Sequence, residues 1–458
     1  NLGSDNFVGL IRSFTQDEIY DPNPEVHALD IFVPGQNKSN NYRIPSMIKT
    51  STGRLLAVID RRLYHQADWG DIDLALRYSD DLGETWSEDA VILDLPKEGD
   101  RSAFVIDASM VEDKVNQRIH LIVDMFPHSQ GFFSVQEGEK PFPYFKGNLV
   151  LLDDEKEAYY VDETGKVYRK KDNSITDYKV NMSREDMQTW GDLYKNDKKI
   201  GNITLINTDL HMVETAYIYH IYSDDDGITW STPTDITEQI KADWMYFIGT
   251  GPGQGIQMHD DTLVFPIYHT NKNAGYSQST SLIISEDYGQ TWQRQTSPNH
   301  QRNFNGETIE LETMHNLEAI LTEAQVVEID KVLYLFMRNY SGELCYAYSH
   351  DKGQGWSDVI GLKVYDPYCQ VSAIAKEDKV FISNPSQTGR RRGTLKTFAL
   401  ESDHRFKKLD ESVINKEEFE YSCLVSLDDD HLGILYETKD NQDRMTIKFN
   451  KLKINAQL

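Results

Sequence analysis

The chain has 458 residues, of which 39% are hydrophobic and 26% charged, and this composition indicates a folded protein with a large buried core. Its formal net charge of -27 argues against a nucleic-acid partner, because binding to phosphates requires a basic surface. No run of about 18 apolar residues predicts a membrane span, and only three cysteines are present, too few for a disulfide framework or a metal-binding cysteine cluster.

The N-terminal stretch NLGSDNFVGL lacks the basic and apolar regions of a signal peptide. We therefore expect the printed sequence to begin after a removed leader or after an upstream domain.

Four similar octapeptides recur along the chain. They are SDDLGETW (79–86), SDDDGITW (223–230), SEDYGQTW (285–292) and SHDKGQGW (349–356). Each follows a short apolar run and supplies Asp and Gly for a tight turn, which predicts a hairpin whose Trp packs against its own strands. Their serines are separated by 144, 62 and 64 residues, and the last two intervals are typical of four-stranded propeller units.

The acidic residues of these repeats could suggest calcium: Asp81, Asp225, Asp287 and Asp351. A turn Asp that bonds to its own backbone is the simpler interpretation, so we predict an architectural role and no metal site. The fourth copy has Gly355 where the others have Thr, which predicts a looser turn.

The first interval is about 80 residues longer than a single unit requires. We place the excess at 131–214, between two parts of a propeller at 1–130 and 215–458. The segment contains strand-like pieces, a DETGK turn and charges of both signs, so we predict a small inserted β segment. A structural elaboration is favoured over a binding accessory.

A family resemblance rests on these repeats and on two further stretches. YRIP at 42–45 resembles the Arg-Ile-Pro motif of bacterial exo-α-sialidases (neuraminidases), glycoside hydrolase family 33, and the octapeptides resemble their Asp boxes. IDRRLYHQADWGDIDLALRYSDDLGETW is similar to the same family. The resemblance covers almost the whole chain, and it implies an all-β, six-bladed β-propeller.

The resemblance implies three catalytic residues, namely Tyr421 as nucleophile, Glu323 as its base and Asp68 as general acid/base. A phenol suits this reaction because the anomeric carbon of sialic acid carries a carboxylate, which would repel an anionic nucleophile. Asp71 and Asp73 compete with Asp68, and for both we expect a structural turn role.

The resemblance also implies that Arg43, Arg338 and Arg390 grip the carboxylate of sialic acid. Arg suits this task because its planar fork bonds a carboxylate bidentately and keeps its charge. Arg391 and Arg392 adjoin Arg390, so which of them completes the triad stays open, with Arg390 preferred.

Weaker assignments complete the expected site. Glu437 resembles the carboxylate that orients Arg43, and Arg62 and Asp107 are expected to contact the substituents of the sugar ring. TGPGQG at 250–255 lacks a following Lys, so we interpret it as a loop at the pocket rim rather than a phosphate loop.

The resemblance implies a secreted or cell-surface bacterial exo-α-sialidase that needs no cofactor. It would hydrolyse terminal sialic acids from glycoproteins, glycolipids and oligosaccharides with retention, and lectin or anchor domains would lie outside this chain. Two alternatives remain: an intramolecular trans-sialidase that releases an anhydro or unsaturated sugar, and a propeller that binds sialylated glycans without cleaving them.

Overall fold

Antiparallel β-strands form most of the regular structure of this chain. The computed structural model describes residues 28–99, 101–134, 138–206 and 208–454. The N-terminal stretch NLGSDNFVGL lies outside the described residues, as does the rest of the predicted propeller up to residue 27. Within them, the helices are α1 (Thr237–Ile240) and three short 3-10 helices, Gln36–Lys38, Ala274–Ser277 and Leu317–Ala319, and no helix is long and apolar enough to cross a membrane.

The strands pair mainly with their neighbours in sequence, in units of four. The strand β1 (Leu29–Phe32) joins the last unit, and the first unit contains β2 (Asn41–Lys49), β3 (Leu55–Arg62), β4 (Ile72–Ser79) and β5 (Ala90–Leu93). A hairpin of β6 (Lys97–Glu98) and β7 (Arg101–Ser102) follows, and then β8 (Phe104–Asp113) and β9 (Arg118–Phe126) begin the second unit.

A separate eight-stranded sheet interrupts the second unit after β9. It contains β10 (Tyr144–Phe145), β11 (Asn148–Leu152), β12 (Ala158–Val161), β13 (Lys166–Arg169), β14 (Ile175–Val180), β15 (Asp192–Lys195), β16 (Lys198–Asn202) and β17 (His211–Met212). The second unit then resumes with β18 (Tyr217–Ser223), which pairs with β9 along its whole length, and ends with β19 (Thr234–Asp235).

The remaining strands continue this pattern, and the third and fourth units are joined in one nine-stranded sheet. The third begins with β20 (Phe247–Thr250), and β21 (Gly253–Gln254) then pairs with β8 of the second unit. The third unit continues with β22 (Ile256–Gln257), β23 (Leu263–Thr270), β24 (Ser279–Ser285) and β25 (Gln293–Arg294), and a hairpin of β26 (Asn303–Phe304) and β27 (Glu307–Thr308) follows it. The fourth contains β28 (Leu321–Ile329), β29 (Val332–Asn339), β30 (Glu343–Ser349) and β31 (Ile360–Tyr365). The fifth contains β32 (Ser372–Lys376), β33 (Lys379–Gln387), β34 (Arg391–Leu400) and β35 (Phe406–Glu418), and the sixth joins β36 (Ser422–Ser426), β37 (His431–Lys439) and β38 (Met445–Lys453) to β1.

The first strands of neighbouring units lie against one another. Strand β2 contacts β8 and β36, and β32 contacts β28 and β36. Apolar side chains fill the spaces between units; for example, Met47 and Leu55 of the first unit cluster with Leu435 and Ile447 of the last. This packing brings the ends of strands from both halves of the chain close together.

The four repeated turns share one hydrogen-bond pattern. In the first, the Ser79 hydroxyl donates to Asp81 Oδ1 at 2.8 Å, and Asp81 accepts the backbone N–H of Thr85 at 2.8 Å and its hydroxyl at 2.5 Å. In the fourth, Asp351 accepts the N–H of Gly355 at 2.8 Å, and glycine has no hydroxyl to add a second bond. The prediction that these acidic residues serve their own turns is confirmed.

Each turn also packs on the preceding unit. A Cβ atom on Gly83 would lie 2.1 Å from the Phe449 ring of the last unit, and one on Gly289 would lie 2.3 Å from the His120 ring of the second unit. The indoles of Trp86 and Trp230 donate to carbonyls of their own turns. The indole of Trp356 instead donates to the carbonyl of Thr296, which follows β25 of the third unit. The repeated sequence therefore fastens neighbouring units together.

We expect Gly289→Ala to lower the free energy of unfolding by about 3 kcal/mol, because the methyl group would overlap the buried His120 ring and the residue has a left-handed φ of 84°. Gly306→Ala is the matched control, since Gly306 has a φ of 86° and open space around it. Its expected loss is about 1 kcal/mol. Equal losses in chemical denaturation would contradict the packing role of the turn.

The TGPGQG segment does not lie at a pocket rim, so that prediction is wrong. Thr250, Gly251 and Gly253 are buried, and β21 pairs in parallel with β8. A Cβ atom on Gly251 would lie 2.8 Å from the carbonyl oxygen of Ala324. Glycine is required here because two strands approach each other closely.

Candidate active site

A cavity of about 1350 Å³ is lined by most of the site residues that were predicted from the sequence. Its lining includes Asp68, Asp107, Glu323, Arg338, Arg390 and Tyr421. These residues come from the ends of strands or adjoining loops in the first, second, fourth, fifth and sixth units. A single concave site therefore unites side chains that are far apart in sequence.

Tyr421 and Glu323 form the centre of the site. The Tyr421 hydroxyl donates to Glu323 at 2.8 and 2.7 Å from its two carboxylate oxygens, and Arg338 Nη1 lies 2.5 Å from the carboxylate and 2.8 Å from the hydroxyl. Burial raises the pKa of Tyr421 well above its ordinary value, with Glu323 adding to the effect and Arg338 opposing it. The phenol is therefore neutral at rest, and a carboxylate is in place to accept its proton as the oxygen attacks.

Three guanidinium groups surround this tyrosine. Besides the contact with Arg338, the Cζ atoms of Arg43 and Arg390 lie 5.1 and 5.8 Å from the centre of the Tyr421 ring. Arg43 binds Glu437 through two hydrogen bonds of 2.9 and 3.1 Å. Glu437 also accepts the backbone N–H of Tyr421 at 2.9 Å, so one fully buried carboxylate fixes both an arginine and the tyrosine.

Glu420 is a site residue that the sequence analysis missed. It lies 3.0 Å from Arg390 Nη1 and 3.6 Å from Arg43 Nη2, and it lines the cavity. Desolvation would raise its pKa, but the pull of Arg43 and Arg390 is stronger and holds the pKa below its ordinary value. The only signal in the sequence was its position next to Tyr421.

The choice among Arg390, Arg391 and Arg392 was left open, and the structure places Arg390 and Arg391 differently. Arg390 lines the cavity, and its Nη2 donates to the carbonyl of Tyr368 at 3.2 Å. Arg391 instead pairs with Glu418 at 2.6 Å and with Glu417. The cavity therefore contains Arg390, which was the preferred candidate.

Asp68 lies at the open side of the cavity, in the loop between β3 and β4, with 57% of its side chain exposed. Arg62 Nη1 bonds its Oδ1 at 2.7 Å, and Arg43 Nη1 is 3.7 Å away. Desolvation would raise the pKa of Asp68, but Arg62 and then Arg43 outweigh it, so the pKa is below its ordinary value.

The expectation that Arg62 contacts the sugar ring is not met. Arg62 is 0% exposed and lies beneath Asp68, bonded also to Asp60 at 2.9 Å. It can position Asp68, but it does not reach the cavity surface. The competitors of Asp68 have structural partners, since Asp73 pairs bidentately with Arg61 and Asp71 pairs with Lys97.

Asp107 lines the cavity beside another carboxyl group, that of Asp124, which the sequence analysis missed. Burial, then the charges of Asp124 and Asp60, raise the pKa of Asp107 well above its ordinary value. Burial likewise raises the pKa of Asp124, and its Oδ2 has no hydrogen-bond partner among the described residues. Burial therefore favours the protonated form of both groups, and a protonated carboxyl group can donate a hydrogen bond.

Aromatic side chains form the wall beside these acids: Phe126, Phe132, Phe133, Phe247 and Tyr268. Phe132 and Phe133 belong to the segment that the sequence assigned to an insertion, so its first residues reach the cavity. Among the described residues, no group of three or more His, Cys, Asp or Glu side chains could hold a metal ion.

We expect proton uptake when a ligand carboxylate binds beside Arg43. A ligand carboxylate beside Arg43 would weaken the pull of that arginine on Asp68 and so raise the lowered pKa of Asp68. Protons are therefore taken up at about pH 4, the ordinary range of a carboxyl group. Calorimetry of an unsaturated sialic acid analogue, in two buffers with different enthalpies of ionisation, measures this uptake. It should disappear in Asp68→Asn; uptake that persists in that variant would contradict the account.

The strands and the cavity define an all-β protein built from repeats, and the family comparison agrees. The model of the BNR repeat-like domain matches residues 172–435, more than half of the chain. The chain therefore belongs to this family.

The relatives of this chain are sialidases. It is 27% identical to the anhydrosialidase of Macrobdella decora over 93% of the chain and 62% of that protein, and 27% identical to the sialidase of Bacteroides fragilis (strain YCH46) over 92% and 63%. The chain thus spans less than two thirds of the length of these relatives. The predicted resemblance to sialidases is confirmed.

The intramolecular trans-sialidase from Ruminococcus gnavus shares the fold of this chain. The TM-score is 0.76 at 24% identity, over 94% of this chain and 98% of that one. The all-β architecture is consistent with a β-propeller.

Proposed function

We propose that this chain is the catalytic domain of an exo-α-sialidase that hydrolyses terminal sialic acids from glycans. The observation that carries the proposal is the contact of Tyr421 with both Glu323 and Arg338 inside a cavity that also contains Arg390. A phenol with a carboxylate base, beside arginines that suit a carboxylate, matches a sugar whose anomeric carbon carries a carboxylate. The names of the curated relatives support the same proposal.

The proposed reaction has two balanced steps. In the first, the Tyr421 oxygen bonds the anomeric carbon, Glu323 takes the phenolic proton, and the glycosidic bond breaks as Asp68 protonates the departing oxygen. In the second, Asp68 takes a proton from water, the water oxygen bonds the anomeric carbon, and Tyr421 leaves as Glu323 returns its proton. Two displacements at one carbon give net retention.

The arginines have a distinct task in this proposal. Arg43, Arg338 and Arg390 hold the carboxylate, which places the anomeric carbon over Tyr421 and offsets the negative charge next to the attacking oxygen. Desolvation lowers their pKa values, but neighbouring acids and phenols and, for Arg390, first the Cys369 thiol outweigh it, so all three pKa values are raised above the ordinary value. All three therefore remain charged at the pH of the reaction.

The proposed architecture is a six-bladed propeller whose repeated turns are Asp boxes. The sheets of antiparallel strands, and the packing of Gly83 and Gly289 on the preceding units, support this proposal. We propose further that 131–214 is an insertion in the second blade, between propeller parts 1–130 and 215–458.

An intramolecular trans-sialidase is the second candidate, and one observation favours it. The relatives include the anhydrosialidase of Macrobdella decora, and a similar fold is that of an intramolecular trans-sialidase. In that case, a hydroxyl of the sugar itself would replace water in the second step. A glycan-binding propeller without activity is less well supported, because binding alone would not need Glu323 against the Tyr421 hydroxyl.

Incubation with 3′-sialyllactose, followed by NMR of the products, tests the proposal. Free sialic acid is the expected product. An anhydro sugar would instead establish intramolecular transfer, an unsaturated sugar would show loss of a ring proton in place of attack by water, and the absence of any lactose release would overturn the enzymatic proposal. Parallel assays with α2,6- and α2,8-linked substrates extend the test to linkage preference.

We also propose a setting for the activity. The substrates would be glycoproteins, glycolipids and oligosaccharides that carry terminal sialic acid, met outside a bacterial cell. Lectin or anchor modules would lie in parts of the protein beyond this chain, whose relatives are longer.

A further inference from the structure

Tyr368 contacts two of the three arginines at once. Its ring lies over the Arg338 guanidinium, with 3.9 Å from Arg338 Cζ to the ring centre, and its carbonyl accepts a hydrogen bond from Arg390 Nη2 at 3.2 Å. The ring of Tyr340 stacks on that of Tyr368, with 3.8 Å between the ring centres and an interplanar angle of 24°. Neither tyrosine was singled out by the sequence analysis.

The stacking matters because Arg338 has few other contacts that fix its orientation. Its Nη1 serves both Glu323 and Tyr421, while its Nε is buried without a hydrogen-bond partner among the described residues. A guanidinium group held at one nitrogen can still rotate about that contact. The Tyr368 ring lies flat against the Arg338 guanidinium and fixes its plane, and the positive charge of the guanidinium is attracted to the ring.

The backbone around Tyr368 is held in an unusual conformation. Tyr368 has a left-handed φ of 57°, which a residue other than glycine adopts only when its surroundings enforce it. Buried Asp366 provides this support, because it accepts the backbone N–H of Cys369 at 3.1 Å and the side-chain amide of Asn384 at 3.1 Å. The loop between β31 and β32 is thus built to present Tyr368.

We propose that Tyr368 is a positioning residue that sets the plane of Arg338 and the place of Arg390 for one bound carboxylate. The ligand part of this inference rests on the proposed function. The geometric part does not, because it concerns only how the Arg338 guanidinium is oriented when the ring is removed.

Tyr368→Gly removes the ring and tolerates the left-handed φ, whereas Tyr368→Phe keeps the ring and the carbonyl. The probes are an unsaturated sialic acid analogue and its methyl ester, with dissociation constants measured by calorimetry. We expect Tyr368→Gly to weaken binding of the acid by roughly tenfold and to change binding of the ester far less. Tyr368→Phe should bind the acid within about threefold of the unmodified chain.

Tyr276→Ala is the matched control, since Tyr276 lines the same cavity and is half exposed. It should change the dissociation constants of the acid and of the ester by equal factors. If Tyr368→Gly also changed both dissociation constants by equal factors, the inference would be overturned. A crystal structure of Tyr368→Gly in which the Arg338 guanidinium keeps its orientation would overturn it as well. That result would count even if the unmodified chain bound neither probe and the proposed function failed.

Discussion

Replacement of Tyr421 by Phe is expected to reduce turnover of 3′-sialyllactose by roughly 10⁴-fold or more, because the attacking oxygen is lost. The ring should stay in place between Arg43 and Arg390, since these guanidinium groups lie over it and the backbone N–H of Tyr421 remains bonded to Glu437. Binding of an unsaturated sialic acid analogue should therefore be largely retained. Steady-state kinetics and calorimetry on the same preparation measure the two effects.

Tyr288→Phe provides the control for the loss of a tyrosine hydroxyl, because Tyr288 lies in a repeated turn and is partly exposed. It should leave turnover unchanged. Near-normal activity of Tyr421→Phe would remove Tyr421 from the role of nucleophile. Loss of binding together with turnover, in a protein of unchanged melting temperature, would point to a structural role instead.

Asp68→Asn is expected to slow release of lactose from 3′-sialyllactose far more than release of a phenol from an aryl sialoside. The alkoxide-like leaving group of lactose needs a proton as the bond breaks, whereas a good aryl leaving group departs with little help. General acid catalysis is typically worth about 10²–10⁴-fold, which bounds the expected difference between the two substrates. Stopped-flow measurement of the first release isolates this step from the later hydrolysis.

Asp71→Asn is the matched control, because Asp71 lies in the same loop but pairs with Lys97. It should affect both substrates alike and only slightly. If Asp68→Asn reduced the first step by one factor for both substrates, Asp68 would orient the substrate rather than donate a proton. The contact of Asp68 with Arg62 would then be the feature to test next.

Local sequence patterns predicted much of the fold. Asp and Gly at fixed places in each octapeptide specify a turn through bonds that span four residues, such as Thr85 N to Asp81. Such bonds can be anticipated without knowing the rest of the chain. The packing of Gly289 on His120 could not be predicted, because it joins different units and depends on the order in which they pack.

The site residues were predicted from the resemblance to a family and not from local sequence patterns. Arg43 and Glu437 are separated by 394 positions, and Tyr421 and Glu323 by 98, so no local pattern reveals that they meet. Arg62 was misassigned because its complete burial depends on the loop that folds over it. Asp124 was missed because a single acid in an apolar strand carries no sign of the cavity it faces.

The most direct test of the central claim is to trap the covalent intermediate on Tyr421. A sialosyl fluoride with a second fluorine at C3 should react and then stall, because the electron-withdrawing substituent slows hydrolysis of the intermediate. Intact-mass measurement followed by peptide mapping is predicted to show one sugar attached to Tyr421, and no adduct in Tyr421→Phe. A chain that turns over sialyllactose but carries the adduct on Glu323 or on another residue would contradict the account.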